Sequence, residues 1–432
     1  MRSRTIKIDS LARVEGQGAV TLVLDGDEVV DAKLRILEAP RLFEAFLRGR
    51  SCMETPDITS RICGICPVAY QMSACRAVED VLGVRVDGSL RALRRLLYCG
   101  EWIESHVLHM VMLHAPDFLG LPDVIALGKR HPERVKAALH VKKTGNAIVE
   151  TLGGRAIHPV NAKIGGFHRA PRRAELLALL PELRAALGEA EETLEWLATF
   201  DFPRFERDYE LVSLRHPSEY PMIDGRIAST KDLDIEVREL EAAISEEQVP
   251  HSTALQARLR ARGAYKCGPL ARFALNADLL APRAAAAARR IGLDSSCRNP
   301  FRALLVRGVE VVHALDEAVR LVEVYAPPAS ASVDFVVRAG TGYGATEAPR
   351  GTLYHRYTVD DRGLVEEARI IPPTSQNQRT MEEDLIALGP SLANLPLEEA
   401  TNRVERAIRN YDPCISCSTH FLSLRFEQVG AS

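Results

Sequence analysis

Four cysteines in two matched pairs stand near opposite ends of the chain. Cys63 and Cys66 lie in Arg61-Ile-Cys-Gly-Ile-Cys-Pro67, and Cys414 and Cys417 in Asp412-Pro-Cys-Ile-Ser-Cys-Ser-Thr-His420. Thiolates are soft donors, and four of them meeting at one interior point would hold a soft metal. About 350 residues separate the pairs, so they meet only if the fold carries both ends inward. A single CxxC fits half a zinc site, a redox pair or two buried apolar thiols. Structural zinc sites usually set their pairs about 15 to 20 residues apart, because they staple a small fold. A chain of 432 residues, 46% hydrophobic, buries a core without a staple. Neither pair has the βαβ context of a thioredoxin-like redox site, which leaves a catalytic metal centre as the favoured reading.

The elements that must position these thiols are mostly helical. Residues 5 to 35 alternate apolar and polar, with a turn signal in Leu24-Asp-Gly-Asp-Glu-Val-Val30, and predict an antiparallel β element. Helical periodicity follows over 90–116, 134–152, 173–199, 233–247, 270–291, 300–324 and 396–410. Between about 330 and 378 the pattern returns to short strands and Gly/Pro turns. The expected class is α+β, a long helix bundle core with small antiparallel β elements. Without a repeat or a long linker, residues 1–420 read as one unit.

Composition excludes more than it assigns. With 55 basic and 58 acidic residues, net −3, there is no bulk electrostatic reason to expect nucleic acid or an anionic membrane as partner. No apolar stretch has the length of a membrane span or a secretion signal, and nine cysteines without regular disulfide spacing suit a reducing, cytoplasmic setting. Gly340-Thr-Gly-Tyr-Gly344 lacks the GxGxxG spacing and no Walker-type sequence occurs, so no nucleotide site is expected in this chain. Cys52, Cys75, Cys99, Cys267 and Cys297 show no cluster spacing, so no iron-sulfur cluster is expected either.

The flanks of both pairs resemble the two signature motifs of the large, catalytic subunit of nickel-iron hydrogenases. The resemblance extends over nearly the whole chain: Arg13-Val-Glu-Gly16, Phe43-Glu-Ala-Phe-Leu-Arg-Gly-Arg50, Gly153-Gly-Arg-Ala-Ile-His-Pro159, Glu347-Ala-Pro-Arg-Gly351 and Ile371-Pro-Pro-Thr-Ser-Gln-Asn377 are similar to further family segments in the same order. It implies that Cys63 and Cys414 are terminal ligands to nickel, and that Cys66 and Cys417 bridge nickel to an iron carrying carbon monoxide and cyanide. Soft sulfur suits both metals, and H2 would be split there into hydride and proton. Glu15 would take the proton beside Cys414. Arg350 would sit over the open side of the metals, anchored by Asp412. Ser105 stands where some relatives carry an acidic partner. Glu44 and His420 would bind a second ion, magnesium or iron, and Thr374 would donate a hydrogen bond to a cyanide ligand.

Tyr70 stands where a His is frequent in the family, and this resembles the soluble NAD(P)-linked, sulfhydrogenase-like branch. Electrons would leave through a small subunit with iron-sulfur clusters and diaphorase-type subunits binding flavin and NAD(P), with sulfur reduction as a side activity. Residues 421–432 resemble the extension that a maturation endopeptidase removes. Two other readings remain open at this point: a non-catalytic complex-I-like scaffold subunit, against which the four retained thiols argue, and a structural zinc protein.

Overall fold

The computed structural model describes residues 3–38 and 42–419. Strands β1 (Ser3–Ile8), β2 (Gly18–Asp25) and β3 (Glu28–Ile36) form an antiparallel meander, with Asp25 paired to Glu28 across the hairpin that the sequence pattern predicts. The inward residues of this sheet, among them Ile6, Val20, Leu22 and Leu34, share a core with Met381, Leu385, Val404, Ile408 and Ile415 from the far end of the chain. Apolar burial on that common face is what draws the two termini of the sequence together.

The larger core belongs to the helices. α1 (Pro67–Leu82) begins immediately after Cys66 and ends at Gly83 in the left-handed conformation, with Pro67 at the first turn where its missing N–H leaves no gap. α2 (Gly88–Val107) runs on through a π-helical segment, Leu108–His114. α2 packs on α3 (Pro132–Gly153) and α5 (Ala303–Glu323), and α5 also packs on α4 (Leu180–Ala198). α6 (Pro373–Ala387) and α7 (Leu397–Arg409) lead to the second cysteine pair. Among the described residues no helix is long and apolar enough to cross a membrane.

A second meander, β4 (Gly340–Ala348), β5 (Gly351–Val359) and β6 (Val365–Ile371), lies against α1. Its first strand carries the Gly-Thr-Gly-Tyr-Gly run. A Cβ at Gly342 would stand 2.2 Å from the Ala77 carbonyl oxygen, and one at Gly344 2.4 Å from that of Ser73. These glycines exist so that a strand can lie directly on a helix backbone.

Several predicted boundaries move. Residues 233–247 are not one helix: Asp234–Ile235 and Ile244–Gln248 are strands, with a short helix Leu240–Ala243 between. Leu240 and Ile244 imitate a helical period, but they pack with Val212, Leu214, Ile227 and Leu259 in a small β-rich core, and tertiary packing overrides the period. The 270–291 stretch divides into Pro269–Asn276 and Pro282–Arg290, because Pro282 cannot continue the first helix. The 173–199 stretch likewise divides into Arg173–Leu177 and α4. α1 and all of α6 lie where no helix is predicted, and α6 begins inside the stretch expected to form strands and turns. Both are buried on nearly every side and so lack a polar stripe.

Candidate metal centre

Cys63 follows a 3-10 turn at Ser60–Ile62 in extended backbone, and Cys66 is the residue from which α1 starts. The dipole of that helix favours a thiolate at its head. Two of its first amides, Val68 and Ala69, donate to the buried carboxylate of Glu101 at 2.6 and 3.0 Å, and burial pushes that carboxyl well above the ordinary range. On the other side Cys414 lies in the loop after α7, and Cys417 in the 3-10 turn Ser416–Ser418. The loop is tied down by Glu15: its carbonyl accepts from the Ile415 amide at 3.0 Å, in an isolated parallel bridge between Glu15 and Cys414.

All four sulfurs are buried and lie within 4.8 Å of one another. Cys63 and Cys414 are 3.4 Å apart, Cys66 and Cys417 3.6 Å, and Cys414 and Cys417 2.9 Å. Hydrogen bonds from Cys414, Cys417 and Cys66 hold the Cys63 thiol well below its usual range. Burial pushes Cys414 and Cys417 up. For Cys66 a hydrogen bond from Cys414 favours the thiolate, but those with Cys417 and Cys63, and burial, outweigh it. Thiolate is the form that binds a soft cation, so loading a metal here displaces the protons that the buried thiols hold. Four convergent soft donors in a dry interior fit thiophilic metal ions and no hard one.

Around the sulfurs stand most of the residues singled out in the sequence. The Cys414 thiol points at Glu15 Oε2 at 3.1 Å, and the same oxygen accepts from the Ser416 amide at 3.0 Å. Thr374, in the first turn of α6, accepts from the Cys414 amide at 3.1 Å. Arg350 donates from Nε to the Asp412 carbonyl at 2.8 Å and from Nη2 to Oδ1 at 3.2 Å. Asp412 has a φ of 52°, which turns its carbonyl and carboxylate toward one guanidinium. Burial opposes the charge on Arg350, but Asp412 and the thiolates of Cys414, Cys66 and Cys63 hold it above the usual guanidinium range. Tyr70 is buried with its hydroxyl raised by burial and by the charges of Cys417 and Cys66.

Glu44 is buried and accepts from the Ile370 amide at 2.7 Å, which ties its short helix to β6. Its expected companion His420 lies outside the described residues, as do residues 421–432. A second group with ligand spacing, His216, Glu219 and Asp224, has both its carboxylates engaged by Arg91.

The model of a family described as nickel-dependent hydrogenase matches residues 41–145 and 303–420, two blocks that each contain one cysteine pair. Sulfhydrogenase 2 subunit alpha of Pyrococcus furiosus is 34% identical over 97% of this chain and 100% of its own length. This chain belongs to the nickel-dependent hydrogenases. The beta subunit of the NAD-reducing hydrogenase HoxS of Cupriavidus necator is 28% identical over 97% of this chain and 95% of that one. A solved NAD+-reducing NiFe-hydrogenase in its H2-reduced state superposes with a TM-score of 0.88 at 31% identity, covering 96% of this chain and 99% of that one. A NiFeSe hydrogenase of Desulfovibrio vulgaris Hildenborough, at 22% identity and a TM-score of 0.80, shares the fold. The chain is therefore a catalytic hydrogenase subunit, and its family implies nickel and iron.

Three charged residues of this hydrogenase subunit escape a sequence reading. Arg307 is buried in α5 with Nη1 3.6 Å from Asp412 Oδ2, so Asp412 lies between two guanidinia. Glu101 braces the helix that follows Cys66. Glu38, partly exposed, accepts from the Ser416 hydroxyl at 3.1 Å, so Ser416 links it to Glu15. The first two sit inside apolar helical runs, where only a partner across the fold marks them. Ser105 is buried, and its hydroxyl finds no partner among the described residues. Beside it His106 contacts Glu310 at 2.9 Å, and burial lowers the imidazole to about 4.

Proposed function

We propose that this subunit cleaves H2 reversibly at a nickel-iron pair held by Cys63, Cys66, Cys414 and Cys417. Cys63 and Cys414 would hold nickel, and Cys66 and Cys417 would hold nickel together with an iron that would carry carbon monoxide and cyanide. The observation that carries the reading is the contact of Glu15 Oε2 with the Cys414 thiol at 3.1 Å, inside a buried quartet of thiols made from both ends of the chain. When bound, the metals supply a Lewis-acidic centre at which H2 is polarised.

The remaining steps belong to the chain. Glu15 takes the proton at Oε2 from Sγ of Cys414, within the reach that proton transfer requires. The amide of Ser416 keeps that oxygen in place, and Ser416 and Glu38 lead outward. Arg350, oriented by Asp412, presents a fixed positive charge beside the sulfurs. Thr374 holds the Cys414 amide and thereby the ligand loop. The dry surroundings keep water from competing for the proton.

Glu44 and His420 are assigned to a magnesium or iron ion, and residues 421–432 to an extension that a maturation endopeptidase removes. Electrons are assigned to a small subunit with iron-sulfur clusters and then to flavin- and NAD(P)-binding subunits in the cytoplasm, with sulfur reduction as a secondary activity. The kinship with an NAD-reducing hydrogenase and a sulfhydrogenase supports this. Elemental analysis and infrared spectroscopy of the purified complex test the centre: nickel and iron with bound carbon monoxide and cyanide bands are expected. Zinc without those bands would overturn the reading.

A further inference from the structure

Lys266 is buried where no described residue accepts a hydrogen bond from it. Among the described residues its Nζ has no hydrogen-bond partner, and it lies over the ring of Tyr411 at 3.4 Å from the centroid and that of Tyr209 at 4.9 Å. The two phenol hydroxyls donate to the two oxygens of Asp384, at 2.7 Å from Tyr209 and 2.6 Å from Tyr411. Arg207 also binds Asp384, at 2.7 Å. The backbone of Lys266 is fixed on both sides, its amide to the Glu210 carbonyl and its carbonyl to the Val212 amide, each at 2.9 Å.

The same short segment reaches the backbone of Arg350 and the neighbour of Asp412. At Lys266 it rests on Tyr411, the residue before Asp412. Two residues on, Gly268 has a φ of +109°, and a Cβ there would stand 2.8 Å from the Arg350 carbonyl oxygen. Tyr411 is also held by Arg307, whose Nη2 donates to its carbonyl at 3.4 Å. Residues 266–268 therefore pack against the backbone of Arg350 at one end and against the ring of Tyr411, next to Asp412, at the other.

We infer that Lys266 is a positioning residue for the Arg350–Asp412 pair, acting through the ring of Tyr411. This rests on the role given to that pair above. An ammonium is drawn to the face of a phenol ring and a neutral amine is not, so the brace has two states. Burial brings the Lys266 amine down to about 7, with Asp384 opposing and Arg207 and Arg307 reinforcing the shift and Cys267 opposing it. The charged state adds a contact on the face of the Tyr411 ring that is lost with the proton, while the hydroxyl stays on Asp384 and the carbonyl on Arg307.

Lys266→Met and Lys266→Arg in the purified complex, each matched to wild type in nickel and iron content, test this. H2 oxidation with an artificial acceptor is followed between about pH 5.5 and 9, and the infrared bands of the metal-bound diatomic ligands are recorded over the same range. Wild type is expected to show an inflection near pH 7 in both rate and band position. Lys266→Met should lose the inflection and fall about tenfold below wild type at the acid end, while its melting temperature stays level or rises, because a buried amine without a hydrogen-bond partner has been removed. Lys266→Arg should also lose the inflection but keep the acid-side rate. A Lys266→Met profile and spectrum that superimpose on wild type overturn the inference, and so does an inflection retained in Lys266→Arg. Arg350→Lys serves as the control: if it alters rate and bands while Lys266→Met does not, the brace is wrong and the role of the pair stands. If Arg350→Lys changes neither, the role of the pair itself is wrong.

Discussion

Glu15 touches a thiol directly, whereas Arg350 is tied to the ligand loop through Asp412, so the two residues should fail differently. Glu15→Gln keeps the shape and an oxygen for the Ser416 amide but has no basic carboxylate. H2 oxidation should drop by about 10²–10⁴-fold with nickel and iron content unchanged, as read by acceptor-linked assay and elemental analysis. Arg350→Met leaves Asp412 with Arg307 as its remaining cation. Removing one member of a buried pair costs roughly 3–5 kcal/mol when its partner is left uncompensated; with Arg307 beside Asp412 the loss should be smaller, and urea denaturation of the variant would reveal it as a lower midpoint. Glu15, Arg350 and Asp412 could be singled out in the sequence only through the family-like motifs that contain them, Arg13-Val-Glu-Gly16, Glu347-Ala-Pro-Arg-Gly351 and Asp412-Pro-Cys414. Arg307, Glu101 and Lys266 could not be read, since a charge within an apolar run resembles a solvent-facing residue until its partner from elsewhere in the chain is known.

Elements were legible in proportion to how one-sided their burial is. The N-terminal meander, α3 and α7 each show a wet and a dry face, and their periods predict them closely. α1 and α6 have almost no wet face and went unseen, although one carries Cys66 at its head and the other Thr374. Close contacts between elements were equally hidden, as the Gly340–Gly344 run shows. Gly342→Ala should force β4 off α1 and destabilise the fold by roughly 1–3 kcal/mol, measurable by thermal or urea unfolding; an unchanged midpoint would contradict the packing described. α3 and α4 are joined by His140, whose two ring nitrogens contact Glu182 at 2.7 Å and Glu189 at 2.6 Å. These hydrogen bonds, that with Glu182 first, raise the imidazole above its ordinary value. The sign follows: the contribution is full below about pH 6.5, the unfolded value, and disappears as pH rises through the higher folded one. His140→Ala should therefore lower the melting temperature at pH 5.5 and leave it unaltered at pH 9. The effect should be small, about 0.2–1 kcal/mol, because the site is partly exposed and open to solvent at Glu182.

The molecule as a whole has an apolar interior large enough to stand without metal, in contrast to a zinc finger. Chelation of the metals before or after loading should leave the helical circular dichroism intact while lowering the melting temperature, since a ligand that binds only the folded state stabilises it by mass action. Collapse of the helical signal in the metal-free protein would show that the metals hold the fold. The bridge between Glu15 and Cys414 has a further consequence, one of time. It joins residues 399 positions apart, so it is among the least local contacts a chain of this length can make, and such contacts close late because the loop entropy must be overcome first. During synthesis the N-terminal sheet and its carboxylate emerge hundreds of residues before their partners leave the ribosome. The quartet cannot form before Cys417 has been made, so a polypeptide that stalls ahead of it never presents four thiols to a metal.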